Sequence, residues 1–352
     1  MATIEEIIAK AAVTTSSLSN GGLLNKEQAR KFIQQTFDAT NLNKLVRHEM
    51  RTAKTGEIDK IGIARRIIRQ KIENTDDGYR AGVTSGQIEY ATRAIRLPWE
   101  ITEETLRENI EGQSFESIVT NLMTTQLGID LEDIYLNGDE DVGDAEDFDS
   151  TAAYAVGDMV LKDDKPYKFI AAHAAGAWND AHVEALGDAG DGDFLKINDG
   201  WTKQIAANGH TYDASNLATM KLDIFYKGLQ TIPNKYNNGK LRWLMSPRRA
   251  QEWELYLLKL ASESGGHIPD NMYNAPARIP AVECPAMSDD IVLLTDPKNL
   301  IVVNTYDVKI RKTTEGEKAI MMDKRFYVTH LDYDPIIEET DATALIKMPA
   351  VA

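Results

Sequence analysis

The chain has 352 residues, is 43% hydrophobic and 27% charged, and carries a formal net charge of −16. That mix is globular, and at about 150 residues per domain the length implies two or three domains. Its one cysteine, Cys284, excludes an intrachain disulfide framework, and no run reaches the ~18 apolar residues of a membrane span. The opening MATIEEIIAK has neither the basic start nor the apolar core of a signal peptide. The sequence therefore predicts a chain made and folded in a cytoplasm. Cys284 lies between Glu283 and Pro285 with no His nearby and reads as a small packed side chain. The charge is uneven: residues 139–199 hold sixteen acids against four lysines, while residues 42–71 hold nine Lys or Arg against three acids. A basic arm and an acidic block in one chain exclude a uniformly basic nucleic-acid binder and suggest charge-matched contacts between regions or subunits.

In chain order, residues 1–43 read as an arm with short helical stretches. Ile4, Ile7 and Ile8 form one, and Ala29, Phe32, Ile33 and Phe37 form a stripe within Lys26–Phe37. Neither is long enough to fold alone. A strand-like start at Leu45–Thr52 leads into a glycine-rich, charged excursion, and strand character returns over Ile88–Ile101. The pattern predicts a two-stranded ribbon that leaves the body and returns, marginal unless a neighbour orders it. Thr102-Glu103-Glu104 opens a helix. Ser114 caps a longer one, with Phe115, Ile118, Val119, Leu122, Leu127, Leu131, Ile134 and Tyr135 as its apolar stripe. Asn137-Gly138 stops it, at a length of roughly 35 Å.

Composition then shifts. GDEDVGDAEDFDS and GDAGDGDF bracket a segment with three predicted short strands and turns at Val156-Gly157-Asp158 and Asp163-Asp164-Lys165. This predicts a small β module at 143–197, threaded into a host domain through paired flexible linkers. The host resumes at Asp199-Gly200-Trp201. A helix is predicted through Leu217–Thr231 with Asp213 and Ser215 as caps, a buried strand at Leu241–Met245, and a helix from Ser246-Pro247 to about Ser262. Strands are predicted at Ile291–Leu294, Leu300–Asn304, Val308–Lys312, Lys318–Leu331 and Ile336–Lys347. The class is α+β.

Phosphate-cradle, nucleophile-elbow and metalloprotease motifs are absent from the sequence, which predicts no enzyme, no cofactor and no catalytic or metal residues. His173 and His182 flank Trp178, but a metal would need further ligands, and both read as surface histidines. Asp139, Glu140, Asp141 and Asp144 leave the host, and Asp188, Asp191 and Asp193 return to it. Such a neck could hold a hard cation, although no complete loop pattern is present and a solvated linker is the simpler reading. Tyr154, Tyr167, Phe169 and Trp178 either fill the module's own core or, at Tyr167 and Trp178, stack on sugar rings. The basic run Lys60, Arg65, Arg66, Arg69 and Lys71 lacks interleaved aromatics, and reads as a set of subunit contacts rather than a nucleic-acid site.

The order of parts resembles the major capsid protein of tailed bacteriophages, the Hong Kong 97 type fold. The local likeness lies in Leu293-Leu294-Thr295-Asp296-Pro297-Lys298-Asn299-Leu300 and in Asp332-Tyr333-Asp334-Pro335-Ile336-Ile337-Glu338-Glu339-Thr340-Asp341-Ala342. Asp199-Gly200-Trp201, Asp213-Ala214-Ser215 and Trp243-Leu244-Met245-Ser246-Pro247 fall where the family has comparable phrases. The resemblance implies an N-terminal arm at 1–43, an extended loop with flanking strands at 44–101 and a spine helix at 102–142. It further implies an axial domain at 198–285 and a peripheral-domain sheet at 286–352, with the all-β insertion at 143–197 between. It implies a shell subunit that self-assembles as pentamers and hexamers around a phage genome in the virion, after assembly in the host bacterial cytoplasm. Implied partners are a portal protein, a separate scaffolding protein (only about 50 residues precede the loop), a decoration protein, and packaged DNA met without sequence reading. No membrane is implied. The insertion resembles short modules of phage surface proteins and chitin-binding modules through Tyr154, Gly157, Asp158, Val160, Tyr167, His173 and Trp178. Two alternatives stand beside this: an encapsulin-type nanocompartment shell, and a carbohydrate-binding or adhesin protein acting through the insertion.

Overall fold

The computed structural model describes residues 40–62, 67, 68, 70, 78, 80, 82–104, 114–187, 191–264, 272–305, 309–315 and 317–349. The predicted helical stretches at Ile4–Ile8 and Lys26–Phe37 lie outside them. A short helix α1 (Asn41–Leu45) leads into strand β1 (Arg47–Arg51). Strands β2 (Thr55–Gly62) and β3 (Thr84–Ala91) pair antiparallel as the expected ribbon. What reads as one strand over Ile88–Ile101 is two, because Thr92 turns the chain by donating its backbone N–H to Lys54 O (2.8 Å). Strand β4 (Arg93–Thr102) belongs to the body, and helix α2 (Ser114–Asn137) follows as predicted.

The insertion contributes strands β5 (Glu146–Asp147), β6 (Met159–Lys162), β7 (Lys165–Phe169) and β8 (Val183–Ala185), in the order β5-β6-β7-β8. That is one strand more than predicted, because Glu146–Asp147 pairs parallel with Val160–Leu161. The predicted turns are present: Gly157, Asp163 and Asp164 all have positive φ, the last two forming the tight β6–β7 hairpin. Helix α3 (Gly192–Leu195) then leads to α4 (Trp201–Asn208) and β9 (His210–Asp213).

Helix α5 covers Leu222–Thr231 only. The predicted start at Leu217 fails because the Asp213 carboxylate accepts from both N–H (2.9 Å) and Oγ (2.6 Å) of Ser215, closing a tight turn instead of capping a helix. Strand β10 (Arg242–Met245) and helix α6 (Pro247–Ser264) match the prediction, and Ser246 Oγ accepts from Arg249 N at 3.2 Å as an N-cap. Strands β11 (Ala281–Glu283), β12 (Ile291–Thr295), β13 (Leu300–Thr305) and β14 (Lys309–Thr313) follow. The predicted strand Lys318–Leu331 begins instead with helix α7 (Glu317–Met322), and strand β15 (Lys324–Ile337) starts only after Asp323 at φ 50°. The predicted strand Ile336–Lys347 is likewise divided: β15 ends at Ile337, a helical turn occupies Thr340–Ala342, and β16 runs Ala344–Lys347.

These breaks decide the topology. The first sheet has β1 parallel to β13, with β13 and β14 antiparallel to successive parts of β15 and β4 along its other edge. The second sheet runs β11-β10-β12-β16-β9. The chain crosses between sheets at residues 338–343, so the segment 286–352 does not form one sheet: β12 and β16 pair with strands of the 198–285 segment. Two cores result. Leu131, Ile134, Tyr135 and Leu136 of α2 pack with Trp201, Val302, Tyr333 and Leu345 between the sheets. Ile224, Phe225, Trp243, Trp253 and Ile346 form the second core, where Phe225 meets both tryptophans edge-on at 5.1 Å. Cys284 is fully buried in the first core, and burial raises its thiol pKa, as expected of a packed rather than reactive side chain.

The apolar stripe of α2 is not buried along its whole length. Leu127 and the residues after it are covered, but Ile118 and Leu122 are exposed. At Glu132, fully inside, the backbone N–H groups of Leu42 and Asn43 face the carboxylate. Burial nevertheless raises its pKa, as it does for Asp133, Glu184 and Asp334. The folded chain therefore holds protons at pH values where the unfolded chain has released them. The contribution of these four carboxylates to stability should rise as pH falls toward the ordinary carboxylate range near 4, with nothing further gained from them below it. A Glu132→Gln variant keeps an acceptor for α1, and should flatten that slope without losing stability at pH 7.5, read by urea titration at stepped pH.

Candidate assembly interface

Three features stand out from the body: the β2–β3 ribbon, the insertion, and the uncovered half of α2. The ribbon's base is anchored on the first sheet. Ile58 and Tyr90, with Ile88 beside them, pack on Ile301, Val303 and Ile336. Tyr90 stands opposite Gly56, and a Cβ there would lie 2.7 Å from the Tyr90 hydroxyl, so the glycine makes room for the ring. Polar contacts add to the anchor. Ala91 N–H donates to Asp334 Oδ2 (2.7 Å), Lys54 pairs with Asp332 (3.0 Å), and Lys60 pairs with the Glu339 carboxylate and donates to Glu338 O (3.1 Å).

Lys60, predicted as a subunit contact, is thus engaged within its own chain. Arg65, Arg66, Arg69 and Lys71 lie outside the described residues. The expectation that the ribbon buries little within the subunit fails for its base. Beyond that base, Ile61 is 75% and Ile68 92% exposed.

The insertion leaves and rejoins the body at two glycines. Gly200 N–H donates to Gly138 O at 2.7 Å, and a Cβ on Gly138 would sit 2.4 Å from Asn198 O, so only glycine permits this approach. The first predicted flexible linker is in fact ordered, while residues 188–190 of the second lie outside the described residues. Residues Glu140–Asp144 form a helical turn with Val142 buried. The ammonium of Lys203 gathers Asp139 (2.6 Å), Asp141 (2.8 Å) and Asp199 (2.7 Å). Burial alone would lower the Lys203 pKa, but the hydrogen bonds its ammonium donates to the three carboxylates outweigh it and hold the pKa above the usual lysine value. A protein cation thus occupies the centre where the sequence suggested a hard metal ion. Among the described residues, no cluster of three or more His, Cys, Asp or Glu is placed to hold one.

Inside the module, Phe148, Tyr154, Phe169, His173 and Trp178 form one ring cluster, with Tyr154 stacked on Phe169 at 4.7 Å. Tyr167 meets Trp178 edge-on at 4.8 Å, and Lys162 Nζ sits 4.3 Å over the Trp178 ring. The two rings named for glycan stacking are therefore engaged in the module's own packing. His173 is buried, not a surface residue, and its Nδ1 lies 3.0 Å from His182 Nδ1.

A third anchor, invisible in the sequence, fixes the first turns of α2. Glu116 accepts from Lys312 (2.6 Å) and Arg325 (2.8 Å), and Arg325 also grips Glu103.

No family model matches the chain. It is 25% identical over 360 residues, covering 97% of both chains, to the "Putative prophage capsid protein YqbE" of Bacillus subtilis (strain 168). Among solved structures it superposes on a chain of the satellite phage P4 procapsid that includes the size determination protein, with TM-score 0.60 and 14% identity over 100% of this chain and 99% of that one. On the capsid of an empty GTA particle the values are 0.53 and 11%, over 89% and 90% of the two chains. The chain has the Hong Kong 97 type capsid fold. The described ribbon and helix α2 lie within the segments that the sequence resemblance compares to an extended loop and a spine helix.

Two outcomes test these anchors. Tyr90→Ala should cost roughly 2–4 kcal/mol locally, seen as faster amide exchange across Thr55–Gly62 while the second core keeps its protection. Lys203→Met leaves three carboxylates facing one another, and should release the neck. Exchange at residues 139–144 should rise at neutral pH and fall again when the acids are protonated near pH 4.

Proposed function

We propose that the chain is the major capsid protein of a tailed double-stranded DNA phage, assembling as pentamers and hexamers into an icosahedral shell that encloses the genome. The carrying observation is the likeness to a prophage capsid protein over 97% of both chains, joined to the capsid fold of the structure. The physics of the subunit agrees. The ribbon is anchored at its base and exposes Ile61 and Ile68 beyond it, so this apolar surface gains free energy only against another copy. The work is structural and not enzymatic. The expected partners are further copies of the chain, a portal protein, a scaffolding protein and, by charge alone, packaged DNA. Assembly takes place in the host cytoplasm, and the insertion, carried on its rigid neck, faces the shell exterior.

Light scattering after size exclusion tests this reading. The intact chain should run as capsomers or larger particles, and a chain with residues 63–81 replaced by a short Gly-Ser turn should be folded yet stay a monomer, lighter than the 39.2 kDa of the intact chain. An intact chain that remains a monomer at every concentration contradicts it.

A further inference from the structure

Helix α2 carries a second apolar stripe, separate from the one that enters the core. Ile118 (37% exposed), Leu122 (63%) and Ile129 (43%) follow at spacings of four and seven, with Thr125 between. At about 100° per residue these four positions share one side of the helix. Val119 and Met123 point elsewhere, against Trp99, Ile101 and Tyr327. The stripe is therefore a face left over once the body has packed.

Helix α1 lies directly beside its far end. Asn43 Nδ2 donates to Gly128 O (3.2 Å), and the Leu42 and Asn43 backbone N–H groups face the Glu132 carboxylate. Gly128 and Glu132 are the α2 positions adjoining the stripe at Ile129. The chain N-terminal to Thr40 thus starts beside the stripe, with 39 residues to place.

We infer that this face of α2 is the docking site of the same chain's residues 26–37. That segment carries Ala29, Phe32, Ile33 and Phe37 at helical spacing. Only three residues separate Phe37 from Asn41, a reach of about 14 Å at most over the four steps, so Phe37 is held near Ile129. Twelve helical residues span about 18 Å, close to the ~16 Å from Ile118 to Ile129. Lengths, apolar periods and the point of attachment therefore match. The tether supplies an effective concentration in the millimolar range, which a segment too short to be helical alone requires. The inference concerns the single subunit and stands whether or not the shell reading does.

Hydrogen–deuterium exchange on the full chain at high dilution tests it. Amides of residues 26–37 should be protected at least ten-fold over an unstructured peptide. Leu122→Asp with Ile129→Asp should abolish that protection while β12 and β13 exchange as before. Phe32→Ser with Phe37→Ser, which changes no residue of the described body, should do the same and guards against a folding defect in the first variant. Free exchange of residues 26–37 in the unmodified chain overturns the proposal. So does protection that survives both pairs of substitutions. Protection that appears only as concentration rises assigns the face to another copy's arm and also overturns it.

Discussion

Everything in this subunit hangs on how the C-terminal half of α2 is buried. Leu131, Ile134, Tyr135 and Leu136 sit between the two sheets, and Tyr135 meets Trp201 at 5.6 Å and Tyr333 at 5.2 Å. Trp201 donates to Ile336 O (3.2 Å) and Tyr333 to Asn198 Oδ1 (2.6 Å). One aromatic junction thus fixes the spine helix, the long strand β15 and the return of the insertion to the body. The ring N–H of Trp201 and the hydroxyl of Tyr333 thus each have a partner, as buried polar groups generally do.

From this junction the rest radiates outward with falling self-sufficiency. The second core is closed, with Trp243 hydrogen-bonded to Pro276 O at 2.9 Å. The ribbon is anchored at its base, and Ile61, Ile68 and Val83 beyond it are exposed. The N-terminal half of α2 is pinned by Glu116 but keeps an apolar face. Apolar surface left open in this way gains free energy when it is covered. Charge follows the same logic: the acidic insertion is drawn together at its neck by a lysine of the host, not left to repel itself.

Much of this was legible in the sequence, because periodicity reports local structure. The Asn137-Gly138 stop, the Ser246-Pro247 start and both insertion turns depend on neighbouring residues only. What was not legible depended on distant ones. Lys203 meets Asp139 across 64 positions, and no spacing announces that pair. The burial of His173 comes from Phe148, Tyr154 and Phe169, which reach it from separate segments. The crossing at 338–343 was hidden because strand-forming residues lie on both sides of it, and propensity does not say which sheet a strand joins. Gly56 falls in what reads as a glycine-rich excursion. In the fold it is a seat for Tyr90, a cross-strand relation fixed only by register.

The most direct test of the account is electron microscopy of particles formed by the purified chain, alone or with a scaffolding protein. The account predicts closed icosahedral shells in which each ribbon tip lies on a neighbouring subunit and each insertion points outward. Discrete monomers with ordered ribbon tips, or open aggregates with no repeated contact, would contradict it.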